Sequence, residues 1–114
     1  MPHLLVEYAA ELEAILDVRE LLDAVHAAAR ETRLFPESHI KARARPVTEY
    51  LVGGTRRPFL HAQVRIQSGR SPEQRRTLSA CVLEVLRVRA ERAVVTVEVV
   101  EMEAASYTRH YPWR

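Results

Sequence analysis

Phe59-Leu60-His61-Ala62-Gln63-Val64-Arg65-Ile66-Gln67-Ser68-Gly69-Arg70-Ser71-Pro72-Glu73-Gln74 contains a strand, a turn and a helix start in direct succession. From Phe59 to Gln67 the side chains alternate, with Leu60, Ala62, Val64 and Ile66 as the apolar set, the period of a half-buried strand. Ser71 then offers an N-cap, Pro72 a preorganised first helical residue, and Gln74 the reciprocal partner of a capping box. Beyond it Leu78, Cys81, Val82, Val85 and Leu86 form one apolar helical stripe. Val94 to Val100 follows as a valine-rich strand whose one charge is Glu98.

The upstream sequence repeats this grammar. Residues 2–8 open with a short apolar run that reads as a buried strand, and residues 9–16 as a turn or partial helix. Asp17 and Glu20 have capping-box spacing, and Val18, Leu21, Leu22 and Val25 share one face of a helix over about 17–30. Phe35-Pro36 ends that helix. Ile40 to Val47 then alternates, with Ile40, Ala42 and Ala44 on one side and Lys41, Arg43 and Arg45 on the other. Gly53-Gly54 marks a turn between halves of about 1–52 and 55–114.

Strand-helix-strand, twice, predicts an α+β fold in a single domain. Each unit makes a right-handed crossover between parallel strands, and the units join into a four-stranded sheet with both helices on one face. Apolar residues fall on both strand faces at Leu4-Leu5-Val6 and at Val97, Val99 and Val100, so an oligomer that covers the open face is expected.

Composition narrows the function. With 114 residues, 47% hydrophobic and 28% charged, the chain has the balance of an ordinary folded domain and not of a disordered one. A net charge of +2 from 17 basic and 15 acidic residues does not by itself make a nucleic-acid-binding surface. Cys81 is the lone cysteine and sits in an apolar helical pattern, which excludes an internal disulfide and suggests a buried structural thiol. No apolar run reaches the roughly 20 residues of a membrane span, and a cytoplasmic location is the default expectation. The five histidines are scattered without metal-ligand spacing, and no glycine-rich phosphate loop or nucleophile elbow is present. Neither a metal nor a cofactor is indicated.

The chemistry concentrates at Pro2. If Met1 is removed, Pro2 becomes a terminal secondary amine, and burial or nearby cations would hold it as a free base near neutral pH. Parallel pairing of the first two strands brings it near Lys41, Arg43 and Arg45, which are spaced about 7 Å apart along their strand. The same cations would capture an anionic substrate. Arg70 stands just before a helix N-terminus, where backbone N–H groups already favour anions. His61 lies on the polar side of its strand with Phe59, Gln63 and Arg65, where a hydrogen-bonded role is the ordinary one.

These features together resemble the tautomerase superfamily, and within it most closely the 5-carboxymethyl-2-hydroxymuconate Δ-isomerases. The matching residues are Met-Pro-His and Leu-Val-Glu within 1–7, Leu-Phe-Pro at 34–36, Ile40 with the basic strand after it, Phe59 to His61, and Ile-x-x-Gly-Arg-Ser at 66–71. Gly-Arg-Ser-Pro-Glu-Gln-Arg at 69–75 and Val-Glu-Met at 100–102 also resemble the short 4-oxalocrotonate tautomerase subunit. The resemblance implies Pro2 as catalytic base, a trimer, no cofactor, and a small anionic substrate held by Lys41, Arg43, Arg70, Phe59 and His61. Where the isomerases carry an arginine this sequence has Lys41, which keeps the charge but loses bidentate recognition. The turn at 47–57 and the tail from Tyr107 also depart from the pattern.

The implied reaction is a 1,3-allylic proton transfer in an unsaturated di- or tricarboxylic keto acid. Decarboxylation or hydration of an unsaturated acid would use the same residues. A non-catalytic assembly or binding protein of the same fold is a further reading. An RNA-binding module requires stacked aromatics that the third strand lacks.

Overall fold

A computed structural model describes residues 1–113. β1 (His3–Ala9) is followed by a short 3₁₀ turn over Ala10–Ala14, then α1 (Val18–Glu31), a second 3₁₀ turn at Glu37–His39, and β2 (Lys41–Val47). After a turn comes the second unit, β3 (Phe59–Gln67), α2 (Pro72–Arg87) and β4 (Val94–Met102). The sheet runs β2-β1-β3-β4. Within each unit the strands are parallel, as a helical crossover demands, and the central pair β1 and β3 is antiparallel.

Strand alternation decides which side is buried. Leu4, Val6 and Tyr8 of β1, and Leu60, Ala62, Val64 and Ile66 of β3, point to the helix side and are buried. They meet Leu21, Val25, Ala28 and Ala29 of α1 and Leu78, Val82 and Leu86 of α2. The two helices touch each other as well as the sheet, so both lie on one face. Val95, Val97 and Val99 pack against the same core, and Cys81 is partly buried at its margin. The opposite face carries His3, Leu5 and Glu7 of β1, Arg43 and Arg45 of β2, His61, Gln63 and Arg65 of β3, and Thr96, Glu98 and Val100 of β4. Leu5 and Val100 are its half-buried apolar members.

Local signals and structure differ at a few element ends. Residues 10–14 adopt the partial helix, β2 begins at Lys41 and not Ile40, and β4 runs on to Met102. The α2 capping box forms in full: Ser71 Oγ accepts from the Gln74 amide at 3.1 Å, and Gln74 Oε1 accepts from the Ser71 amide at 2.8 Å. At α1 only half of it forms. Asp17 accepts from the Glu20 amide at 3.2 Å, while the Glu20 carboxylate is taken by Arg89 after α2, at 2.8 Å from both Nε and Nη2. Gly53 and Gly54 take φ of 61° and 82° in the tight bridge between Val52 and Thr55, a turn that favours glycine at both positions. Among the described residues no helix is long and apolar enough to cross a membrane.

Candidate active site

Parallel pairing of β1 with β2 decides where the N-terminus lies. His3 is in register with Lys41, and the Lys41 amide donates to the Pro2 carbonyl at 3.0 Å, so Pro2 is fixed against the head of β2. Pro2 is fully buried, and Met1 is only 5% exposed. Because β3 runs antiparallel, its last residues end beside this point, and the Gln67 amide faces the Met1 sulfur. Gly69, at φ 120°, turns the chain there and leads into Arg70. The Arg70 guanidinium donates to the Leu34 carbonyl at 2.9 Å and lies 5.0 Å from the centroid of Phe35.

The tail after β4 closes the cluster. Tyr111 Oη accepts from the Met1 amine at 2.7 Å and from Lys41 Nζ at 2.6 Å. Lys41 Nζ also donates to the His39 carbonyl at 2.5 Å. The Tyr111 ring packs edge-on against His39, with centroids 4.3 Å apart. On the other side Tyr107 Oη lies 3.0 Å from His3 Nε2, and Arg43 Nη1 donates to His3 Nδ1 at 3.4 Å. Arg43 has no acceptor, so Nδ1 must accept and Nε2 carries the hydrogen toward Tyr107.

This arrangement expels protons from the amine. Burial, then the hydrogen bond and charge of Lys41, then the charges of Arg109 and Arg70, lower the Met1 amine from 8.0 to about 5. Lys41 moves the other way: burial pushes its pKa down, but hydrogen bonds to the amine and to Tyr111 outweigh that and raise it. One of two adjacent amines must give up its proton, and the terminal one does. His3 and His39 are held below the ordinary histidine value by burial and then by the neighbouring positive groups. Among the described residues no carboxylate acts on the amine and no ion pair includes Lys41, Arg70 or Arg109. The result is a buried terminus ringed by half-buried and exposed cations, with no counter-charge among the described residues.

Of the residues singled out from sequence, Pro2, Lys41 and Arg70 come together, and Arg43 stands one step along the open face. Phe59 and His61 do not join them within the chain. His61 pairs with Glu7 while Arg65 pairs with His3, which puts His61 about 13 Å further along the sheet at ~3.3 Å per residue. There His61 bonds Thr96 Oγ1 and Glu98 Oε2, each at 2.7 Å, and Phe59 packs edge-on against Tyr50 with centroids 5.1 Å apart. A concavity of about 550 Å³ lies over this region, lined by Glu7, Arg43, Arg45, His61, Gln63 and Glu98 among others. Tyr107, Arg109, Tyr111 and His39 are cluster members that the sequence reading did not single out. Their chemistry was visible as an aromatic and basic tail, but no local pattern places that tail over the N-terminus.

The sequence model of a family described as 5-carboxymethyl-2-hydroxymuconate isomerase matches residues 2–110. The structure resembles a 5-carboxymethyl-2-hydroxymuconate isomerase from Deinococcus radiodurans R1, with a TM-score of 0.85 and 25% identity over 96% of this chain and 88% of that one. A second 5-carboxymethyl-2-hydroxymuconate delta-isomerase is similar at a TM-score of 0.79 and 19% identity, covering 97% of this chain and 88% of the other. A fused 4-OT described as an asymmetric trimer shares the fold at a TM-score of 0.77 and 15% identity, over 94% of this chain and 91% of its own. No curated protein matches the chain. The α+β architecture expected from sequence is thus the architecture of these relatives.

Proposed function

The chain belongs to the 5-carboxymethyl-2-hydroxymuconate isomerase family, and we propose that it moves a proton across an unsaturated keto acid with Pro2, freed of Met1, as the base. The observation that carries this reading is the setting of the chain-terminal amine, where burial and then the positive cluster already hold it down to about 5. A secondary amine at Pro2 would stand in the same cluster, and the same causes would keep it unprotonated at neutral pH.

The substrate class follows from the charges. Arg70, Lys41 and Arg43 favour a di- or tricarboxylate, of which 5-carboxymethyl-2-hydroxymuconate is the example the family suggests. Pro2 would take a proton from the enol hydroxyl, or from the carbon α to the carbonyl, and return it at another carbon of the conjugated chain. Nothing is gained or lost overall, since the product is an isomer. The cations would orient the carboxylates and stabilise the dienolate between the two transfers. Met1 fills the space next to the Pro2 nitrogen, so its departure both creates the base and opens room for the substrate.

An oligomer, as a trimer, completes this proposal. The half-buried Leu5 and Val100 of the open face support it, as does the trimeric state of the fused 4-OT relative. Phe59 and His61 would then contribute to the pocket of a neighbouring copy. Intact mass, sedimentation and turnover of a panel of 2-hydroxymuconates and simple enol acids test the reading together. Loss of Met1 and turnover abolished by Pro2→Ala are expected. Full retention of Met1 in the native host overturns the assignment in favour of a non-catalytic protein of the same fold, and wild-type turnover by Pro2→Ala overturns Pro2 as the base.

A further inference from the structure

One hydroxyl in the cluster has no part in the reaction outlined above. Tyr111 Oη receives Lys41 Nζ at 2.6 Å and the Met1 amine at 2.7 Å, so it borders the space that Met1 fills beside Pro2. Its position is held by the ring, which is packed against His39 at 4.3 Å and Trp113 at 5.5 Å between centroids. Lys41 Nζ has three hydrogens to place: one goes to the His39 carbonyl, one to Tyr111, and one is left toward the terminal amine. Lys41 is therefore fastened from behind, and Tyr111 stands between it and part of the vacated space.

We propose that Tyr111 is a catalytic residue, the hydrogen-bond donor that receives the enolate oxygen of a 2-oxo acid while Lys41 polarises it. The proposal rests on the reaction read above. A hydroxyl rotates to suit its partner: facing an amine donor it accepts, and facing an oxyanion in the same place it donates. A phenol that accepts from an ammonium group is a stronger donor on its other side, because hydrogen bonds in a chain polarise one another. The tyrosine proton stays on Tyr111 throughout, and the migrating proton travels on Pro2. A single oxygen suits a single hydroxyl, whereas the forked guanidiniums of Arg70 and Arg109 suit carboxylates. Lys41 thus acquires a use of its own: a point charge seated behind a phenol, where a guanidinium would aim a fork at a carboxylate.

Tyr111→Phe keeps the ring against His39 and Trp113 and deletes only the hydroxyl. It is tested on protein whose mass shows Met1 gone, after methionine aminopeptidase treatment where the host leaves it. On a 2-hydroxymuconate, kcat is expected to fall about 10- to 100-fold with KM within about threefold, the pattern of a contact made mainly in the transition state. Wild-type kcat in Tyr111→Phe overturns the role of Tyr111 and leaves the isomerase reading intact. If the wild type turns over no enol acid, the isomerase reading fails, and calorimetry with oxalate, a planar mimic of a 2-enolate carboxylate, decides Tyr111 separately. At least about fivefold weaker oxalate binding by Tyr111→Phe supports the donor role, and equal affinity overturns it.

Discussion

The two ends of the open sheet face carry similar side chains and opposite electrostatics. At the end where β1 and β2 begin, Lys41, Arg70 and Arg109 act on an amine, and no carboxylate among the described residues does. At the far end His61 is bonded to Glu98 at 2.7 Å, and Glu7 sits beside it in register. Strand direction makes the difference. The parallel crossover brings the basic start of β2 to the chain terminus, while antiparallel β3 and its parallel partner β4 place His61 against Glu98 of the valine strand. The concavity of about 550 Å³ lies toward the His61 end and not at the amine. An anion is drawn to uncompensated charge, and around the amine no described carboxylate offsets the cations.

The strongest way to break this contrast is to supply the missing counter-charge. In Lys41→Glu a carboxylate replaces the ammonium beside the base, so the amine is reprotonated and a dianionic substrate is repelled. Activity as kcat/KM is expected to fall by about 1,000-fold or more, since both base and anion stabilisation are lost. The low-pH limb of the pH–rate profile should move upward at the same time. A limb that stays in place in the residual activity would show that Lys41 does not set the basicity of the amine.

Arg70→Ala removes a cation whose contacts to Leu34 and Phe35 are at the margin of the cluster. Here KM for a dicarboxylate is expected to rise about tenfold with kcat within about threefold, the sign of binding shared by ground and transition states. A monocarboxylate enol acid of the same length provides the control. An equal rise for both substrates would mean that Arg70 supports the fold of the turn and not a second carboxylate.

The same contrast is readable in stability. With Met1 present, the amine titrates near 8.0 when unfolded and at about 5 when folded. Between those values the unfolded chain binds a proton that the folded chain refuses, so stability rises with pH across the window. His3 and His39, both held below 6.5, act in the same direction at its lower end. The melting temperature of the Met1-bearing chain should therefore climb by a few degrees from pH 5.5 to 7.5, about what one to two kcal/mol yields in a domain of this size. A flat or falling profile in differential scanning calorimetry would contradict the lowered amine.

Legibility in the sequence followed the range of the interactions. Ser71, Pro72 and Gln74 act within one helical turn, and Leu60 to Ile66 within one strand, so the strand and the helix start could be placed from spacing alone. Asp17 caps α1 as its spacing predicts, yet Glu20 abandons the box for Arg89, a partner 69 residues away. The site divides in the same manner. Pro2 and Lys41 could be brought together because a crossover dictates parallel strands, whereas Tyr111 reaches Lys41 across 70 residues with no periodicity to announce it. Tails lack the repeating pattern that lets a face be assigned.

The smallest effect tests whether the two ends ever meet. Within one chain His61 stands about 13 Å along the sheet from His3, at ~3.3 Å per residue, too far to touch a substrate on Pro2. It can serve the proposed reaction only across an interface with another copy. His61→Ala is expected to raise KM about threefold to fivefold, the worth of one partly exposed hydrogen bond of roughly 1 kcal/mol. Mixing decides the source of that effect. When Pro2→Ala and His61→Ala chains are refolded together, a site shared between chains joins an intact Pro2 from one variant to an intact His61 from the other, and a fraction of sites regains the wild-type KM. If each site drew both residues from one chain, every site in the mixture would lack one of them and no such fraction would appear. Recovery would make the compensated end part of a neighbour's pocket, and its absence would confine the chemistry to the end where the charges have no partner.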